Sequence, residues 1–175
     1  MIFVVTGPES SGKSTLAQAL AERLNWPVFP ELARVYLQAR EEEGGLSYRY
    51  RPSDLLDMAA QQQALEANLP RDGHCILDTD LLTLLIWWQE KYGPAPNFLQ
   101  QAWARQMPRH YLLCEPDLPW EPDPMRENPH DRQRLWQWYE HELLQRGCSF
   151  SVCSGLGPDR LESALTATRQ ALSRL

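Results

Sequence analysis

Ile2-Phe3-Val4-Val5-Thr6-Gly7-Pro8-Glu9-Ser10-Ser11-Gly12-Lys13-Ser14-Thr15 opens the chain and decides its fold. The first five residues are β-branched or apolar without polar alternation, the pattern of a strand covered on both faces, as in a parallel sheet. Gly7 ends that run. Beyond it Leu16, Ala17, Leu20 and Leu24 recur at helical spacing, so strand, glycine-containing loop and helix follow one another directly. The loop, Gly7 to Ser14, matches G-x-x-x-x-G-K-[ST]. Wrapping a phosphate with successive backbone N–H groups requires turns that a Cβ would block, which explains Gly7 and Gly12. The helix beginning near Lys13 adds its partial positive N-terminus. Lys13 is placed to reach the β- and γ-phosphates of ATP or GTP and the Ser14 hydroxyl to coordinate Mg²⁺, with Pro8, Glu9, Ser10, Ser11 and Thr15 completing the nucleotide-binding segment. Lys13 and Lys91 are the only lysines; every other basic residue is arginine. A lysine therefore stands where a compact, rotatable ammonium suits phosphate oxygens better than a planar fork.

The alternation continues outward. Val28-Phe29 reads as a weak second strand, followed by a helix through Leu32, Val35, Tyr36 and Ala39. A polar loop from Glu41 to Pro52 leads to a helix capped by Ser53 or Asp54. His74 to Leu77 is a third strand ending at Asp78, and helices follow over Leu81 to Glu90 and Asn97 to Gln106. His110 to Cys114 and Ser149 to Cys153 are the fourth and fifth strands, and the last helix runs from about Asp159 through Leu161, Leu165, Thr168 and Leu172. Alternating strands and helices predict an α/β fold, a five-stranded parallel sheet wound on both faces. With 175 residues, the expectation is a single domain over 1–175. Its one compositional break is 115–129, with prolines at 116, 119, 122, 124 and 129. Proline fixes φ and removes a donor, so this segment is a loop. Lying between a strand and a helix that starts near Pro129, it suits a lid.

Composition narrows the function. A formal net charge of -6 gives no general attraction to nucleic acid or an anionic membrane. No signal peptide precedes the first strand, and the apolar stretch around Leu81 to Trp88 is too short to span a bilayer. A reducing cytoplasm is the expected location. Cys75, Cys114, Cys148 and Cys153 contain no C-x-x-C pair and complete no zinc spacing with the histidines. Cys75 and Cys114 read as buried free thiols, with a Cys148–Cys153 bridge left open.

Carboxylates and arginines mark the expected site. Ligands of such sheets gather outside the carboxyl ends of the strands, where Asp78 and Asp80 of Asp78-Thr79-Asp80 both fall. Asp78 is the natural Mg²⁺ carboxylate; Asp80 either serves the site or caps the next helix. Glu31, after the second strand, is placed to accept a proton from an attacking hydroxyl, or it favours a helix N-terminus. Arg34, one turn on, pairs with Glu31 or binds substrate. In the helix after Ser53, Gln62 and Glu66 share the apolar stripe of Leu55, Met58, Ala59, Leu65 and Leu69. Inward polar groups require partners, supplied by a substrate or by another helix. Arg126, Arg132 and Arg134 lie in or beside the proline-rich loop, and Arg132 shares a face with Leu135, Tyr139 and Leu143. Cations over a transferring phosphoryl group stabilise its charge. Ser47-Tyr48-Arg49-Tyr50-Arg51 interleaves aromatic and basic residues and reads as a covering or surface loop. Tyr36, Trp87, Trp88 and Trp120 offer aromatic faces to an acceptor.

Thr6 to Thr15, Glu31-Leu32-Ala33-Arg34-Val35-Tyr36, Asp78-Thr79-Asp80, and Pro119-Trp120 followed by Asp123 and Arg126 resemble the ribosylnicotinamide kinase (NadR-type) branch of the small P-loop kinases. The resemblance spans essentially the whole chain. It implies a P-loop NTPase fold of the nucleoside/nucleotide-kinase kind with an Arg-bearing lid. It also implies ATP- and Mg²⁺-dependent phosphorylation of the ribose 5′-hydroxyl of nicotinamide riboside, a step of NAD biosynthesis. Lys13 and Ser14 would then serve ATP–Mg²⁺, Asp78 and Asp80 metal and ribose, and Arg126 and Arg132 the lid. The acceptor set is Glu31, Arg34, Tyr36, Gln62, Asp80 and Trp120. The best-known members carry an adenylyltransferase domain ahead of the kinase; here the expectation is a kinase without one. The rival readings are a kinase for another nucleoside-like or small alcohol acceptor, and a nucleotide-dependent regulatory ATPase. No N-K-x-D element for guanine is present.

Overall fold

The computed structural model describes residues 1–44, 50–70, 72–122, 126 and 130–174. They form two compact units, one of Met1–Pro30, Pro70–Thr79 and Pro108–Leu175, the other of Glu31–Leu69 and Asp80–Met107.

The first unit holds a five-stranded parallel sheet of β1 (Ile2–Thr6), β2 (Val28–Phe29), β3 (Cys75–Asp78), β4 (Arg109–Cys114) and β5 (Ser149–Cys153) in the order β2-β3-β1-β4-β5. The sheet carries helices on both faces. Strand β1 is central, pairing β3 through Ile2↔Cys75 to Val5↔Asp78 and β4 through Ile2↔Arg109 to Thr6↔Leu113. All five of its residues are buried, which is why it shows no alternation. Phe3 and Val5, with Ile76, Leu112, Cys114 and Cys153, pack on α1 (Lys13–Leu24) and the last helix, Pro158–Leu172. Leu16, Ala17, Leu20 and Ala21 form the buried stripe of α1; each leucine so buried contributes about 1.5–3 kcal/mol. Successive strands lie to one side of β1 and then to the other. The loop after β1 thus leaves the sheet at its switch point, where ligands of open α/β sheets bind.

The second unit is helical: α2 (Leu32–Gly44), α3 (Pro52–Ala67), α4 (Leu81–Tyr92) and α5 (Asn97–Ala104). The remaining helices are α6 (Arg132–Gln145) and α7 (Pro158–Leu172), both in the first unit. Residues 81 to 86 are buried without exception, as a helix apolar all round must be.

Several expectations shift. Helix α2 continues through Glu41 and Glu42, good helix formers, into what was expected as loop. Its buried residues are Ala33, Tyr36 and Leu37, while Val35 is 53% exposed. The Tyr36 hydroxyl donates to Asp54 of α3 at 2.9 Å, and this bond fixes the rotation of α2. Helix α3 begins at Pro52 rather than behind a Ser53 or Asp54 cap: proline at the first position lacks only a donor that would be unpaired. Asp54, inside the first turn, accepts the Arg51 N–H at 2.6 Å. Helix α6 starts at Arg132 instead of near Pro129. Strand β3 begins one residue late, at Cys75. All four cysteines are free, so the Cys148–Cys153 bridge is not formed. Ser47 to Arg49, Asp123, Pro124 and Pro129 lie outside the described residues.

Candidate active site

The loop between β1 and α1 carries the positive φ values its sequence requires, 136° at Gly7 and 74° at Gly12, with Ser10 also left-handed at 55°. Gly12 caps α1 without a side-chain bond, and no acidic residue stands in the first turn. The partial positive charge of a helix N-terminus so capped favours an anion. Three loop carbonyls are held by side chains. Pro8 O accepts from Ser11 Oγ at 2.7 Å and from Lys13 Nζ at 2.8 Å. Ser10 O accepts from Arg132 at 3.0 Å, and Ser11 O from Arg160 at 2.8 Å. Ser14 and Thr15 are exposed.

The segment after β4 closes on this loop from outside. Arg132 also donates to Leu118 O at 2.9 Å. Arg126 donates to Ser10 Oγ at 3.3 Å and to Glu121 O, and the Glu121 N–H reaches the same hydroxyl at 3.1 Å. Trp120 presents its ring to both guanidinium groups, at 6.0 Å from Arg126 and 5.7 Å from Arg132, an arrangement that holds a cation without neutralising it. Arg134 pairs instead with Asp131 at 3.3 Å, an exposed pair of little energetic weight.

Asp78 ends β3 and is buried, as is Thr79. Thr79 adopts φ 69°, a strained conformation for a β-branched residue, and such strain concentrates at functional sites. Its N–H continues the ladder to Val5 O at 3.0 Å. Behind the loop lies the Cys114 thiol, which burial pushes up to about 11, while Arg160 and Lys13 lower it and Asp78 raises it. Lys13, Arg160 and Asp78 therefore act electrostatically on one buried point. Mg²⁺ takes hard oxygen ligands, usually one or two from protein with phosphates supplying the rest. Ser14 hydroxyl and Asp78 carboxylate fit that donor chemistry. Among the described residues no group of three His, Cys, Asp or Glu side chains forms an all-protein metal cage.

The other expected residues lie in the helical unit. Glu31 and Arg34 pair at 3.7 Å. Asp80 caps α4, accepting the Leu82 N–H at 3.0 Å. Besides Asp54, the Tyr36 hydroxyl donates to Asp57 at 3.2 Å and accepts from Arg40 at 3.1 Å, whose guanidinium also lies over the ring. Gln62 donates to Glu66 at 2.9 Å, and Gln106 donates to the same oxygen at 2.8 Å. The inward amide and carboxylate of α3 thus bond to each other and to the segment after α5. Trp87 stacks on Tyr50 at 5.5 Å, and Trp88 meets Tyr92 edge-on at 5.7 Å.

Sequence reasoning missed Arg160, which bonds to the Ser11 carbonyl of the loop, and Asp117, whose carboxylate accepts from Arg160. Arg160 is 4% exposed, yet it follows Asp159 in a first turn and reads as solvated. The signal was its spacing: positions 160, 164, 165, 167, 168 and 171 form the buried stripe of α7, just as Gln62 falls on that of α3.

Sheet order, glycine loop and helix N-terminus together define a P-loop α/β protein with the fold of nucleoside and nucleotide kinases. A family model described as AAA domain matches residues 2–160, and the chain belongs to that family. No curated protein matches it. Among solved structures it is similar to NadR protein in complex with NR, at 20% identity and TM-score 0.70 over 97% of this chain and 50% of that one. It is also similar to deoxyadenosine kinase from M. mycoides with products dCMP and dCDP bound, at 13% identity and TM-score 0.64, over 98% and 100%. Thymidylate kinase from Ehrlichia chaffeensis matches at 13% identity and TM-score 0.65, over 98% of each chain. The chain spans about half the length of the NadR chain it resembles. Among the described residues no helix is long and apolar enough to cross a membrane.

Proposed function

We propose that the chain is an ATP-dependent kinase that phosphorylates the ribose 5′-hydroxyl of nicotinamide riboside, giving nicotinamide mononucleotide in the cytoplasm. The observation that carries a transferase over a simple nucleotide binder is the pair Arg126 and Arg132, both bonded to Ser10 of the phosphate loop from the segment after β4. Cations poised there stabilise charge that shifts during phosphoryl transfer. The segment 115–129 is accordingly read as a lid. The choice of acceptor is supported by the resemblance at Glu31 to Tyr36 and Asp78 to Asp80, and by the likeness in fold to a protein solved with NR.

In this reading Lys13 and the loop amides hold the β- and γ-phosphates, and Ser14 and Asp78 hold Mg²⁺. The metal supplies neutralisation of phosphate charge. Glu31, Arg34, Gln62 and Asp80, with Trp120, serve the acceptor. Asp80 or Glu31 takes the proton released by the 5′-hydroxyl as its oxygen bonds to the γ-phosphorus and ADP departs. The Tyr36 hydroxyl is committed to Asp54 and Asp57, which narrows its role to the ring.

Purified protein, ATP, Mg²⁺ and nicotinamide riboside should yield the mononucleotide by chromatography. Asp80→Asn or Glu31→Gln should lose that product with ATP binding retained. Uridine, thymidine and adenosine are the rivals. A second reading, another nucleoside-like acceptor, is favoured by the near full-length match to deoxyadenosine and thymidylate kinases. Brisk turnover of a rival with none of the riboside would establish it.

A further inference from the structure

We propose that Arg160 is a positioning residue for phosphate binding, holding the Ser11–Gly12 peptide so that its N–H is turned into the cradle. The proposal rests on the reading of Gly7 to Ser14 as a nucleotide phosphate loop. From the first turn of α7 the guanidinium reaches three separate loops. Its NH1 donates to Ser11 O at 2.8 Å, its Nε to Gly155 O at 2.9 Å, and its NH2 to Glu115 O at 3.2 Å and to the Asp117 carboxylate. Asp117 in turn accepts the Gly155 N–H at 2.7 Å, closing the ring of bonds between the loops that follow β4 and β5.

Peptides here are trans, so the N–H of each unit points opposite to its C=O. Anchoring Ser11 O on Arg160 therefore aims the Gly12 N–H away from Arg160. The carbonyls of Pro8 and Ser10 are anchored as well, the first by Ser11 Oγ and Lys13 and the second by Arg132. Of these donors, Lys13 and Arg132 are read as serving the nucleotide's phosphates. Arg160 is 4% exposed, and all three of its guanidinium nitrogens are already bonded to loop acceptors. A buried ion pair is weak evidence for stability, because apolar residues of similar volume do as well. A planar fork that reads carbonyls from three loops fixes geometry, which preorganised donors require.

The test compares ATP, inorganic tripolyphosphate and adenosine as ligands of wild type, Arg160→Gln, Arg160→Lys and Asp117→Asn. Calorimetry serves the two phosphates and ligand-observed NMR the adenosine. Loss of a charge-assisted bond predicts phosphate affinity down about 10-fold or more in both Arg160 variants, with adenosine unchanged and a smaller loss in Asp117→Asn. Arg160→Lys keeps the charge but not the fork, so it carries the test if Arg160→Gln fails to fold. Undiminished ATP affinity in Arg160→Lys, or equal losses for ATP and adenosine, would overturn the proposal while leaving the cradle intact. Wild-type protein that binds neither phosphate ligand would overturn the cradle reading, and this proposal with it.

Discussion

Two glycines bracket the phosphate loop, and they differ in what they forbid. A Cβ on Gly7 would stand 2.8 Å from the Cys114 carbonyl oxygen, whereas one on Gly12 would meet the tip of Leu118 at 2.6 Å. Backbone cannot yield; a leucine methyl can. Gly12→Ala should therefore cost about 1–2 kcal/mol, the penalty of a left-handed alanine, and Gly7→Ala distinctly more. Urea unfolding of both variants decides it, and the reverse ranking would contradict the loop geometry. In the proposed kinase Lys13 serves the chemistry rather than the fold, its ammonium meeting Pro8 O within its own loop. Lys13→Ala should cut turnover by about 10²-fold or more with thermal unfolding near wild type. Full activity in a normally folded variant would remove the phosphate assignment.

Among elements, the segment after β4 and the α2–α3 pair make separable claims. Arg126 and Arg132 bond to the phosphate loop and share the Trp120 ring. If they act on charge that shifts in transfer, Arg126→Ala and Arg132→Ala lower kcat more than they raise KM for ATP. Steady-state kinetics showing changes in KM alone would make them ground-state binders. In the helical unit, burial and then the Asp54 bond push the Tyr36 hydroxyl's pKa up, while Arg40 pulls it down. Tyr36→Phe deletes that hydroxyl beside a buried carboxylate, so it should cost about 1–3 kcal/mol, read by urea unfolding. No loss would mean that apolar contact alone sets the rotation of α2.

For the whole molecule, one pH-dependent contribution to stability lies in the sheet. His110 on β4 lies between Ser149 Oγ at 2.8 Å and Ser151 Oγ at 3.0 Å of β5. Burial, with a smaller contribution from the Arg174 cation, lowers it from 6.5 to about 4. The unfolded chain therefore takes up a proton below pH 6.5 that the folded chain refuses until about pH 4. Linkage then makes this contribution to stability complete above pH 6.5 and progressively lost as pH falls toward about 4. Urea midpoints measured across that window should fall for wild type and fall less for His110→Gln. Equal slopes would show that His110 is not the responsible group.

The sequence by itself determined what local chemistry determines. Strand β1, the glycine loop and α1 were legible because apolar run, φ-permissive glycines and helical spacing are properties of neighbouring residues. The inward Gln62 and Glu66 were legible from the stripe they share. Tertiary structure decided what depends on residues far apart. Strand order β2-β3-β1-β4-β5 pairs segments that no local pattern joins. The rotation of α2, which buries Leu37 and exposes Val35, follows from a hydroxyl finding a carboxylate 18 residues on. Arg160 looks like any first-turn arginine until the fold brings Ser11, 149 residues away, within 2.8 Å of it. A buried cation is defined by its acceptors, and these acceptors meet only when the strands pair.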